Sequence, residues 1–402
     1  MTQHTHSTSR IADRAAAAGT LLSAAIFATV FSVDAASAAS PGRLGFVIES
    51  WKTAIYETEY MEECPEGVAI GNDEIWFNGL SREQKELATK GGTLQVLDLP
   101  RRPQSYLRGP NGEDVCWSPT SVVDPPMRIV GGRYSYGLNL DGNTDGAATP
   151  KTCAHENFVG VDGTPGVDNQ LYRLMGCVYG YRDKGYLEHH ANRERQDESK
   201  GIILIDVSGV DDARNDDAVS VTFYLSATNL HFDTLGRIVP YASYEAVRGR
   251  YGQTVPGRIV DGVIETQTGD MTLPIYGNDA ATDMVFKDFS IRIEPSEDGT
   301  RAAGMWAGYH PVDSFWDHIV KVQHNAPVGQ YDCPAMFVAA HELADGYPDP
   351  VTGQCTALSS AFHFEAVAAF VISPPPGEEV PAERLAKGVV SVAKPATGQS
   401  GR

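Results

Sequence analysis

The chain has 402 residues, with 52 acidic against 32 basic side chains and a formal charge of −20 at pH 7 with neutral histidines. Such an acid excess repels nucleic acid and anionic lipid surfaces, whose recognition needs a Lys/Arg footprint, and makes divalent cations natural partners. A chain of this length buries a substantial core, as one elaborate domain or two.

At the start, Arg10 and Arg14 lead into the apolar run Ala15 to Phe31 and then the small-residue stretch "AASAAS". This is the pattern of a secretory signal peptide, with Ala36-Ser37-Ala38 as its cleavage site. Residues 1–38 are therefore expected to be removed and the product to be periplasmic or secreted. An uncleaved anchor is the alternative, although the run is short for a spanning helix. No later segment has the roughly 18 unbroken apolar residues of a membrane helix, so no transmembrane span is expected after cleavage.

From residue 42, "GRLGFVIESWKTAIYETEY" is rich in β-branched and aromatic residues and predicts an opening strand or bent strand pair. The clearest helix follows, with Ser81 as its cap, Gln84 at the return position of a capping box, and Gly91 and Gly92 ending it after Lys90. Strands are predicted in "MRIVGGRYSYGLNL" (127–140), "GIILIDVSG" (201–209), "AVSVTFYLS" (218–226) and "RIVDGVIETQTGDMTLPIYG" (258–277). In the segment 288–310, Phe289, Ile291 and Ile293 alternate with polar residues, and Asp298-Gly299 then turns the chain into a second run, which reads as a hairpin. Short helices are expected at Asp168 to Met175, with Asp168 as N-cap, around Tyr186 to Arg195, and at Asp313 to Val322. "FHFEAVAAFVIS" closes the fold, and 374–402 has the composition of a flexible Pro/Ala-rich tail. The fold class that results is mainly β: an antiparallel sandwich or barrel with a few short peripheral helices, stapled by disulfides. Residues 39–373 form this region as one domain, or as two with a boundary near 196–200.

Cys64, Cys116, Cys153, Cys177, Cys333 and Cys355 make an even set, which argues for disulfides in an oxidising compartment. Six cysteines allow fifteen full pairings. Local spacing suggests Cys64 with Cys116, Cys153 with Cys177, and Cys333 with Cys355. There is no C-x-x-C to support a redox site.

Between Leu140 and Cys177 the chain concentrates acids, asparagines and glycines. Asp141, Asn143 and Asp145 followed by Gly146 reproduce the opening of a calcium loop, in which alternating oxygens converge while the glycine permits a sharp turn. Position twelve is Thr152 instead of a bidentate Glu, so the segment is not an EF-hand. Glu156, Asp162 or Asp168 would supply the missing ligands if a Cys153–Cys177 bridge brought them back, giving a structural calcium site. Ordinary Asx turns account for the same residues.

His341-Glu342-x-x-Asp345 departs from the H-E-x-x-H zinc pattern, and Gly346, Pro348 and Pro350 end any helix there. That segment reads as a turn or a second weak calcium site. His189 and His190 are adjacent, point in different directions and read as a solvated pair, with a ligand role for one of them, together with His155 or His231, as a minor hypothesis. Trp51, Trp76, Trp117, Trp306 and Trp316 either fill the core or line a carbohydrate or apolar groove. No nucleophile elbow or phosphate loop occurs, and S-x-x-K at Ser391 and Lys394 falls in the tail. The reading that fits best is an exported, calcium-stabilised β-rich binding or surface-associated protein, its ligand a carbohydrate or an apolar small molecule. The alternative is an extracytoplasmic hydrolase of a polymer or lipid using carboxylate or metal-assisted chemistry.

Overall fold

A computed structural model describes residues 42–89, 109, 111–247 and 251–373. Eight strands form its centre: β1 Arg43–Thr53, β2 Ile203–Ser208, β3 Asp216–Ser226, β4 Thr254–Val260, β5 Val263–Thr266, β6 Ala280–Pro295, β7 Arg301–Pro311 and β8 Cys355–Ile372. Each pairs antiparallel with the next, and β8 pairs antiparallel with β1. The pairing path therefore closes into an up-and-down barrel, which decides between the two architectures that the alternation allowed.

One set of side chains fills the inside. Phe46 and Ile48 of β1, Ile203, Ile205 and Val207 of β2, Val221 and Phe223 of β3, Ile291 and Ile293 of β6, Trp306 of β7 and Phe362 and Phe364 of β8 belong to one buried cluster. Outside, a polar row crosses the wall in register. Arg258 lies opposite Glu265, Glu265 opposite Arg292, Arg292 opposite Met305, Met305 opposite His363 and His363 opposite Lys52. Charged residues in that row are the reverse of the apolar outer band of a membrane barrel. Among the described residues no helix is long and apolar enough to cross a membrane. A second, smaller core lies outside the wall, where Val47, Leu204, Tyr224, Val367 and Ala369 pack with Tyr244 and Ala246 of the added strand Ala242–Val247.

The seam between β1 and β8 contains a one-residue bulge. Ile48 lies opposite Ala366 and Ser50 opposite Glu365, so Glu49 has no counterpart. Side chains on a strand alternate faces with period two, and one extra residue exchanges the faces beyond it. Phe46 and Ile48 point inward before the bulge; Trp51 packs against the interior after it, while Lys52 joins the outer row.

Helices and loops cover one end of the barrel. α1 (Arg82–Thr89) carries the expected capping box, with Gln84 N–H donating to Ser81 Oγ at 3.2 Å and Ser81 N–H to Gln84 Oε1 at 2.8 Å. The proposed stop at Gly91 and Gly92, the signal segment and the 374–402 tail lie outside the described residues. α2 (Gln170–Met175), α3 (Leu187–Glu198), α4 (Val312–Lys321) and α5 (Cys333–Glu342) follow. The cap of α2 is Asn169, which accepts from the Tyr172 N–H at 3.1 Å. Asp168, expected in that role, turns instead to the Leu140 N–H at 2.7 Å. The hairpin between β6 and β7 forms as expected: Gly299 takes φ +66°, and Asp298 Oδ1 accepts from the Thr300 N–H. In 127–140 only Tyr134–Ser135 is a strand. There Tyr136, Leu138 and Leu140 alternate because one side of an extended segment packs on Ala54, Ala307 and Ala361 of the barrel wall.

The disulfides are Cys64–Cys177, Cys116–Cys333 and Cys153–Cys355, with sequence separations of 113, 217 and 202. All three pairings suggested by local spacing are corrected. Proximity in sequence minimises loop length, whereas these bridges tie the long β1–β2 insertion to itself and to the segments around β8, which barrel closure brings together. Long closed loops are also those in which cross-linking removes most denatured-state entropy. Replacing Cys153 and Cys355 together by serine is expected to lower the unfolding free energy by about 2–5 kcal/mol. Urea unfolding checks this, and an unchanged midpoint would show that the bridge adds nothing to barrel closure.

Candidate functional site

The acidic loop is organised around a buried ion cluster. Asp141 Oδ1 accepts from the Asn143 N–H, Asn143 Oδ1 from the Asp145 N–H and Asp145 Oδ1 from the Ala147 N–H, a ladder of Asx turns. Gly146 takes φ +68°, and a Cβ there would stand 2.0 Å from the His155 carbonyl oxygen, so the sharp turn requires glycine. The other expected calcium ligands go separate ways. Glu156 is exposed, with its carboxylate 3.7 Å from Arg173. Asp162 caps its own turn through the Thr164 N–H and lines an outer groove. Asp168 is fully buried against His155. Among the described residues no three His, Cys, Asp or Glu side chains form a group suited to hold a metal ion.

The His155 ring has its Nδ1 2.9 Å from the Cys153 carbonyl and its Nε2 2.9 Å from Asp168 Oδ1 and 3.9 Å from Asp345 Oδ2. Burial alone would depress its pKa, but the Asp168 hydrogen bond, the Cys153 carbonyl and the charges of both carboxylates outweigh it and hold the pKa at about 9. Asp345 also accepts from the Ser359 N–H at 2.7 Å, and burial pushes its carboxyl up to about 7 against that bond and the His155 charge. Two sealed carboxylates thus share one imidazolium, beside the Cys153–Cys355 bridge. Asp345 is the aspartate of the incomplete zinc pattern; its partner there, His341, is exposed on α5 and faces the Phe337 carbonyl. Asp349 caps a turn through Val351 and Thr352 N–H groups. His189 is exposed and His190 half-buried, as expected of a solvated pair.

A second feature is concave. Beside the polar row, Ser50 lies opposite Glu365, Glu365 opposite Ala303 and Ala303 opposite Glu294. The two rows floor a groove of about 770 Å³, walled by Tyr136, Leu138, Val161 and Asp162. A neighbouring groove of about 810 Å³ shares Ser50, Lys52, Asn192 and Glu365 with it and runs along α3.

Behind this wall, at the helix-covered barrel mouth, lies a chamber of about 70 Å³. Its lining is mostly apolar, with Trp51, Leu171, Met175, Met284, Phe315 and Phe362, but six ionisable side chains also line it: Tyr181, Glu188, Arg195, Tyr276, His310 and His318. Glu188 Oε1 accepts from the backbone N–H and hydroxyl of Thr53 at 2.7 and 2.6 Å. Burial pushes its carboxyl up to about 7, opposed by the Thr53 bonds and the Lys52 and Arg195 charges. Burial lowers Arg195 to about 9, against Glu188 and Glu194. Its guanidinium stacks 4.5 Å over the Trp51 ring and donates to the Tyr276 carbonyl and Asn192 Oδ1. His310 and His318 are pushed down by burial to about 3 and about 4 and are neutral. Glu188 lines the α3 groove as well, so one side chain borders both spaces.

None of the chamber's ionisable residues stood out in the sequence. One usable signal was parity: in β7, Ala302 and Trp306 face inward, and the same alternation puts the polar His310 inward. Glu188 and Arg195 carried no signal, since acids and bases are ordinary on a short helix. The five tryptophans divide: Trp306 is fully buried, Trp117 is 66% exposed, and Trp51 lines both the chamber and the groove. Compared with protein-family models, curated proteins and solved structures, the chain has no match.

The ion cluster gives a signed pH expectation. A histidine whose folded pKa is raised adds stability that is full below its unfolded value of about 6.5 and is lost as pH rises through about 9. His155→Gln removes the imidazolium from the buried Asp168 carboxylate and is expected to cost about 3 kcal/mol near pH 6. It should also remove the wild-type fall in stability between pH 7 and 9. Denaturant unfolding across that range reads both, and a retained alkaline slope would place its origin elsewhere.

Proposed function

We propose that this is an exported binding protein whose barrel mouth holds a small, largely apolar ligand. The observation that carries the reading is the chamber itself: apolar walls, a few polar groups converging from β1, α3, β7 and α4, and a position in the mouth of a closed barrel. An eight-stranded barrel has an interior just wide enough to be filled by side chains or to take one small ligand, and barrel mouths are favoured ligand sites. Export, with residues 1–38 as the leader, is supported by three disulfides in a fold whose cysteines are all paired. Xenon is the direct probe, because dry apolar cavities take it up. Pressurised crystals are expected to show one xenon between Met175, Met284 and Phe315, lost in Ala191→Leu, which adds bulk to the wall; no xenon there in the wild type would end the reading.

Calcium bracing at Asp141, Asn143 and Asp145 belongs to the same proposal. It is supported by the D-x-N-x-D-G spacing and stands against the use of one oxygen of each residue by a backbone N–H. Calcium should raise the melting temperature of the wild type, and Asp141→Ala with Asp145→Ala should abolish the rise. Equal melts with calcium and with chelator would remove calcium from the account.

One observation favours the hydrolase reading: burial pushes the Glu188 carboxyl up to about 7, and its side chain borders both chamber and groove, as a general acid would. A hydrolase would lose its activity in Glu188→Gln, and its rate would have a limb near pH 7. Ligand binding without turnover in both forms decides for the binding protein.

A further inference from the structure

The outer groove lies on the face of the wall away from the chamber. Ile291 and Ile293, Ala302 and Trp306, and Phe362 and Phe364 belong to the barrel interior, so alternation turns Arg292 and Glu294, Ala303 and Met305, and His363 and Glu365 outward. These six form a grid. Ala303 stands between Glu294 and Glu365, and Met305 between Arg292 and His363, with neighbouring strands ~4.8 Å apart. The floor is therefore an apolar strip one strand wide between two polar banks. Tyr136 walls it, its ring 4.7 Å from that of His363, and the run of rings continues through Tyr56 at 5.9 Å to the exposed Tyr134 at 6.3 Å.

The chemistry of this groove narrows the class of ligand. Its bases are already engaged: Lys52 Nζ lies 2.8 Å from Asp183, and Arg292 reaches Glu265 at 2.7 Å and Glu294 at 3.0 Å. Burial pushes His363 below the usual histidine value. A carboxylate, sulfate or phosphate ligand would find no free cation among these groups. Nor is an extended peptide offered a sheet edge, because β6, β7 and β8 are each paired on both sides. By contrast Ser50 and Glu365, opposite one another in the second row, have no hydrogen-bond or ion-pair partner among the described side chains.

What the groove presents is an apolar strip, an aromatic wall, a hydroxyl and a carboxylate that only accepts. A pyranose ring is complementary to that set, since its C–H faces pack on apolar and aromatic surface while its rim of hydroxyls needs acceptors. The groove of about 770 Å³ also shares Ser50 and Glu365 with the one of about 810 Å³ along α3, which is lined by Phe232, 43% exposed. A trough that continues past its free acceptor to another aromatic ring suits a chain of sugars better than a single one. We infer that the outer groove binds a linear, neutral oligosaccharide, with Tyr136 packing on a sugar face and Glu365 accepting from its hydroxyls. This site is separate from the chamber and does not rest on it.

The test probes the full chain on an array of linear glycans: neutral cello-, xylo-, manno- and chito-oligosaccharides, acidic oligogalacturonates and heparin fragments, and cationic chitosan oligomers. At least one neutral series is expected to bind and the acidic ones to stay blank. Calorimetry with the best neutral tetrasaccharide then compares variants. Ala303→Leu fills the strip from an exposed position, and Glu365→Ala removes the free acceptor; each should weaken binding about tenfold or more, with the melting temperature kept. Tyr136→Leu, which keeps apolar packing but loses the ring, should weaken it too. Should Ala303→Leu or Tyr136→Leu fail to fold, Glu365→Ala decides. Xenon in the chamber should be unchanged in Ala303→Leu, whose side chain is on the other side of the wall, so the two readings fail separately. Acidic or cationic glycans bound as tightly as neutral ones, no glycan bound at all, or variants that bind like the wild type overturn the inference.

Discussion

Closure of the barrel between its first and last strands is the constraint on which the rest of the structure depends. β1 and β8 are the far ends of the described fold, and their pairing converts a meander into a ring with one inside. Everything between is then held at fixed stations on the wall, including the insertion between β1 and β2 that carries the acidic loop, α2 and α3. Closure also removes the free edges that an open sheet would present. The seam is made with one residue too many, and Glu49 absorbs it. That bulge turns Trp51 and Thr53 toward the chamber, and Ser50 and Lys52 toward the groove. Two concave features on opposite sides of one wall thus share a single cause.

The same closure explains the bridges and the ion cluster. Cys153 and Cys355 are 202 residues apart, yet Cys153 N–H donates to the Asp345 carbonyl and Tyr347 N–H to the Lys151 carbonyl beside the start of β8. The insertion is sewn to the last strand by backbone bonds, a disulfide and the His155 imidazolium. A buried charge set of this kind adds little net stability over a well-packed apolar equivalent, but it heavily penalises any arrangement that separates its members. Its effect is to fix where the loop docks. Asp168, one of the acids in that loop, serves this docking by holding the Leu140 N–H and the His155 ring at once.

Much of the fold was legible in the sequence because its cues are local. Alternation in 288–310 gave the β6–β7 hairpin, Ser81 and Gln84 gave the capping box, and Asp298-Gly299 gave the turn. The disulfide pairing was not legible, since it depends on which strands meet across the barrel, and no local spacing encodes ring closure. Asp168 misled for a related reason: Asn169, one residue later, is an equally good cap, and only the buried histidine decides which of the two turns inward. The chamber was the least legible part. Its polar residues come from segments as far apart as Thr53, Glu188, Tyr276 and His310 and acquire meaning only when the bulge and the mouth helices bring them to one space. Parity could have singled out His310; nothing in one sequence could have singled out Glu188.

The bulge permits a direct test of closure by comparing two variants. Glu49→Ala keeps the residue count and loses only the exposed ion pair with Arg301, so its stability should lie within about 1 kcal/mol of wild type. Deleting Glu49 would force either Trp51 and Thr53 out and Ser50 and Lys52 in, or the seam apart. Its cooperative unfolding transition in urea, followed by tryptophan fluorescence, should shift to far lower denaturant or vanish. If the deletion unfolds at the same midpoint as Glu49→Ala, the register of the β1–β8 seam is not what holds this molecule together.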